Sequence, residues 1–100
     1  MTGEEKPVQP LEGIGSLTQE EIKVNMAVIR GILNKGELII NGEFWDFNTS
    51  QADIIHIIFD ANREEYIAKI FFSTQTAYVV FDKNLKPIMV ELYNRLPHEI

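Results

Sequence analysis

A chain of 100 residues with 45% apolar side chains is long enough for a single domain that buries roughly two thirds of its unfolded surface, and too apolar to be disordered. It has no cysteine, which excludes disulfides and thiolate chemistry. Fifteen acidic against nine basic residues give a net charge of −6, a surface that repels phosphate backbones and anionic membranes.

No apolar run approaches the ~18 residues that span a bilayer. The acidic opening Met1-Thr-Gly-Glu-Glu-Lys lacks the apolar centre of a secretory signal. A cytoplasmic protein is therefore expected, with neither membrane nor nucleic acid as a direct partner, and Asn48-Thr49-Ser50 matches the glycosylation sequon only by chance.

Residues 1–16 carry Pro7, Pro10, Gly13 and Gly15 without an apolar period and read as a flexible tail, leaving 17–100 as the domain. Gly13-Ile-Gly15 precedes a helix but lacks the remainder of a nucleotide-binding fingerprint. Thr18-Gln-Glu-Glu21 is a capping box, and Glu20 and Glu21 sit at the positive end of the helix dipole. Ile22, Met26, Ile29 and Leu33 then recur along one stripe that Val28 and Ile32 widen. With Lys35 in the last turn and Gly36 as its stop, the pattern predicts a helix over 19–34.

Asn41-Gly42 between two β-prone runs is a hairpin signal, because a type I′ turn needs positive φ at both central residues. The turn fixes the register: Ile40 opposite Glu43, Ile39 opposite Phe44, Leu38 opposite Trp45 and Glu37 opposite Asp46. One face then carries Leu38, Ile40, Trp45 and Phe47, and the other Ile39 and Phe44 beside the like-charged Glu37/Asp46 pair.

The segment 53–59 admits two readings. Ser50-x-x-Asp53 could cap a helix, but four β-branched residues in the segment argue for a strand. Residues 65–72 and 77–82 read as strands joined by the polar Ser73–Thr76 turn. In the last segment Leu85, Met89, Leu92 and Leu96 follow a four-three-four spacing. Glu91 and Arg95 stand four apart, and Pro87 suits a first helical turn. A helix over 87–96 is preferred, with a final strand as the alternative. The expected fold is α+β: an N-terminal amphipathic helix, an antiparallel meander of four to five strands, and a C-terminal helix or last strand.

These strands are apolar on both faces. Ile55, Ile57 and Phe59 oppose Ile54 and Ile58, and Tyr66, Ala68, Ile70 and Phe72 oppose Ile67 and Phe71, whereas a sheet with one wet face should alternate. One or two helices cover one face of such a sheet, not both. Burying an exposed patch of several hundred Å² at ~25 cal/mol per Å² is worth on the order of 10 kcal/mol before association costs. A second copy, another protein, an apolar ligand or a curled sheet could cover it.

The chemistry-bearing residues form no catalytic set. His56 and His98 are the only histidines and find no metal-ligand spacing around them. Ser50 and Ser73 lie outside any Gly-x-Ser-x-Gly elbow. The Glu37/Asp46 carboxylates read as solvated charge, and Asp53 and Asp60 as edge charges bracketing a strand. No cofactor or metal is expected.

From Lys35 to Arg63 there is no intervening Lys or Arg, while Glu37, Glu43, Asp46, Asp53 and Asp60 accumulate among six isoleucines, together with Phe44, Trp45 and Phe47. Such a stretch suits a basic protein surface. The expected function is that of a small acidic non-catalytic binding, adaptor or inhibitor protein, homodimeric, acting through Glu37, Ile39, Glu43, Phe44, Asp46, Ile54 and Ile58. The alternative is a small-ligand sensor with an apolar pocket between sheet and helix, oriented by His56, Tyr66 or Tyr78. A nucleic-acid-mimicking inhibitor is a minor option resting on charge alone.

Overall fold

In the computed structural model the structure describes residues 17–95: one helix and two antiparallel sheets, an α+β architecture. The proposed tail at 1–16, and Leu96 and His98, lie outside the described residues.

Helix α1 (Gln19–Lys35) starts at its capping box. The Glu21 amide donates to Thr18 Oγ1 at 3.1 Å and the Thr18 amide donates to Glu21 Oε1 at 2.8 Å. It stops at Gly36, whose φ of 83° lies in the left-handed region and whose N–H donates to the Leu33 carbonyl. Glycine is needed here for space as well: a Cβ would meet the Phe47 carbonyl oxygen at 2.7 Å. Ile29 and Leu33 are fully buried and Ile22, Met26 and Ile32 partly so. Val28 does not widen this stripe. It points outward, as does Val24, both being large exposed apolar residues.

Strands β1 (Glu37–Ile40) and β2 (Glu43–Asp46) form the hairpin in the register that the Asn41-Gly42 turn dictates, with φ of 52° and 83° at the two turn residues. Leu38, Ile40 and Phe47 enter the core, and the Trp45 ring stacks on Phe47 at 5.9 Å. The hairpin is a sheet of its own rather than the first part of one long meander. The Phe47–Ala52 connection, with a single 3₁₀ turn at Thr49–Gln51, carries the chain away before the next strand begins. Asn41 Nδ2 reaches the Ile88 carbonyl at 3.5 Å, beside the edge of the second sheet.

That second sheet contains β3 (Ile54–Asp60), β4 (Glu65–Phe71), β5 (Gln75–Phe81) and β6 (Pro87–Asn94), in the order β3-β4-β5-β6. The β-branched content of 54–58 prevails over its potential helix cap. Asp60 also closes the β3–β4 turn, its Oδ1 accepting the amides of Asn62 and Arg63. Asp82 does the same between β5 and β6, accepting from the Asn84 and Lys86 amides.

The helix preferred over 87–96 does not form among the described residues. Pro87–Asn94 is extended and pairs with β5 from Gln75↔Asn94 to Phe81↔Pro87. Pro87 sits at the first position of an edge strand, where its missing N–H breaks no central ladder. Glu91 and Arg95 accordingly do not pair. Arg95 instead donates to Asp53 Oδ2 and to the Phe72 carbonyl, and Glu91 accepts the Tyr93 hydroxyl.

The core lies between α1, the hairpin and the inner face of the four-stranded sheet. Tyr66, Ala68, Ile70, Ala77, Val79 and Phe81 are its floor. Tyr66 is fully buried yet satisfied, since Asn25 Nδ2 donates to its hydroxyl at 2.8 Å.

Candidate functional site

The four-stranded sheet has a second face, and its composition follows from the register. Side chains that alternate away from the core line up across all four strands in three rows. One is entirely apolar: Ile58, Ile67, Val80 and Met89. The middle row is His56, Lys69, Tyr78 and Glu91. The third is Ile54, Phe71, Thr76 and Tyr93.

On the two central strands Phe71, Thr76 and Val80 are shielded by their neighbours, and the Arg95 guanidinium lies 5.9 Å from the Phe71 ring centroid. On the two edge strands Ile54, Ile58 and Met89 remain 36%, 43% and 40% exposed, although all three are large and apolar. Helix and hairpin pack on the core side, and no other described element lies over this face.

The middle row is ordered by its own contacts. Lys69 Nζ stands 5.6 Å from the Tyr78 ring centroid. Tyr78 meets Tyr93 edge-on at 5.3 Å, and the Tyr93 hydroxyl donates to Glu91 Oε1 at 2.6 Å. That hydrogen bond, then desolvation and the Glu91 charge, raises the Tyr93 pKa above its ordinary value. The row thus carries a cation, Lys69, on β4 and an anion, Glu91, on the β6 edge.

The residues named from sequence fall into separate places. Ile54 and Ile58 lie on this outer face, flanking the middle row. Ile39 and Phe44 oppose each other on the hairpin, at 70% and 63% exposure, with Glu37 and Asp46 on the same hairpin face. Glu43 pairs with Ile40 and belongs to the opposite hairpin face, exposed beside the turn. The expected surface is therefore two surfaces on two different sheets. His56 and Tyr78 share the outer face with Lys69 between them, whereas Tyr66 lies on the inner face, closed off by Asn25. Lys69, Glu91 and Met89 are members that sequence reasoning missed. Their alignment with His56 and Ile58 exists only once the strand partners are known.

The remaining concavities are shallow. A cleft of ≈ 420 Å³ beside Lys35, Gly36 and Asp46–Ser50 is open to solvent, and its Thr49 hydroxyl donates to the Leu33 carbonyl at the helix end. Among the described residues no three His, Cys, Asp or Glu side chains converge on a metal-sized site. None of the described helical segments is long and apolar enough to cross a membrane. Comparison with protein-family models, with curated proteins and with solved structures found no match.

Proposed function

We propose that this chain is a small acidic, non-catalytic binding or adaptor protein that acts through protein–protein contact and associates with a second copy of itself. The observation that carries this reading is the outer face of the four-stranded sheet. Its edge strands hold Ile54, Ile58 and Met89 in water, with no described element above them. Large apolar side chains left exposed on an uncovered sheet face of a small domain are a mark of an interaction site, and self-association is the commonest way to cover such a face.

The hairpin supports the same class of function through different chemistry. Ile39 and Phe44 are anchors, and Glu37 and Asp46 beside them attract and orient a basic surface. A second acidic copy is repelled there, so this face suits a basic protein partner.

Light scattering coupled to size-exclusion chromatography, over a wide range of concentration and ionic strength, tests the reading. A dimer mass that gives way to the monomer only on dilution is the expected result. A monomer at every concentration would refute the self-association.

A further inference from the structure

We infer that the outer face of the β3–β6 sheet is the contact between two copies of this chain, related by a two-fold axis parallel to the strands. This rests on the self-association proposed above. It adds which surface meets which, and in what orientation.

Charge selects both the face and the axis. The chain carries a net charge of −6, so two copies repel unless they meet through a patch that is locally balanced. In the three rows Lys69 and Glu91 are the only Lys, Arg, Asp or Glu members, one of each sign. At the two ends of the face Glu65, opposite Asp60, pairs with Arg63, and Asp53 pairs with Arg95, which lies over Phe71. The hairpin face, with Glu37 and Asp46, has no such balance.

The charges of the middle row lie about 10 Å apart, two strand spacings. An axis along the strands swaps β3 with β6 and β4 with β5 while each row stays opposite itself. His56 then stands opposite the partner's Glu91, and Lys69 stands opposite the partner's Tyr78, one strand spacing to the side of that Glu91. An axis across the strands sets Lys69 against the partner's Lys69 and Glu91 against the partner's Glu91, which repels. Only the first arrangement is complementary. It also lays the apolar Ile58–Ile67–Val80–Met89 row against its own reversed copy, consistent with the aligned packing that stacked sheets adopt.

The patch measures roughly 20 by 20 Å from the strand and row spacings, so the two copies together bury on the order of 800 Å² of plan area. That lies at the small end of specific interfaces and predicts a dimer that dissociates reversibly.

Self-complementarity has a consequence that no other occupant shares. Reversing both charges in one chain reverses the row and leaves it complementary to its own copy. The test compares the molar mass against concentration of wild type, Glu91→Lys, Lys69→Glu and the double variant Lys69→Glu/Glu91→Lys, with circular dichroism as the check on folding. Glu91 is exposed on an edge strand, so its replacement leaves the core untouched.

The expected result is that each single variant weakens the dimer by about tenfold or more, and that the double variant regains it. Single variants that dimerise like wild type, or a double variant without rescue, overturn the assignment while leaving self-association standing. A wild type that is monomeric throughout removes the self-association itself.

Discussion

Two glycines of the helix region separate steric demand from propensity. Gly36 combines positive φ with a backbone oxygen where a Cβ would go, so Gly36→Ala should destabilise by about 1–3 kcal/mol in urea titrations. Gly31 is inside α1, exposed, with open space where a β-methyl would stand. Gly31→Ala should therefore stabilise by about 0.5–1 kcal/mol. Loss of stability at Gly31 would contradict a regular, solvent-facing helix at this position. Tyr66 offers a third test. Tyr66→Phe leaves Asn25 without its acceptor in a part-buried setting, and a cost of about 1 kcal/mol is expected. No change would mean that the bond contributes nothing.

The hairpin shows how one element can hold a structural face and a free one. Leu38 and Ile40 are buried while Ile39, between them, is mostly in water. Leu38→Ala should cost about 2–4 kcal/mol, whereas Ile39→Ser should stay within about 0.5 kcal/mol. Equal effects on denaturant midpoint would show that burial does not distinguish the two faces. Phe44→Asp should leave both fold and dimer mass unchanged, because the hairpin is a separate sheet from the face assigned to self-association.

Elements with strong local signals were legible in the sequence. A capping box and a left-handed glycine bound α1, and Asn41-Gly42 sets the hairpin register. Strand β6 was not, because Leu85, Met89 and Leu92 happen to fall at helical spacing and Pro87 suits either state. Pairing with β5, a non-local interaction, decides it.

At the scale of the molecule, the excess of apolar strand surface was visible in sequence, but its distribution was not. Alternation groups Ile39 and Phe44 with Ile54 and Ile58, since all four point away from core-facing neighbours. The break at Phe47–Ala52 puts them on different sheets. The polar row was equally hidden: His56, Lys69, Tyr78 and Glu91 are spread over 36 positions of sequence and become neighbours only through three strand registers. What results is a sheet whose inner face is covered by one helix and one hairpin, with Leu92 left 46% exposed at the β6 edge, and whose outer face sets an apolar row beside a polar one and is uncovered by any described element.

An isotope-filtered NOE experiment on a mixture of labelled and unlabelled protein examines that face most directly. Contacts between copies are expected among the methyl groups of Ile58, Ile67, Val80 and Met89. Intermolecular contacts confined to Ile39, Phe44 or Val24, or none at concentrations where the particle mass is that of a dimer, would contradict the account.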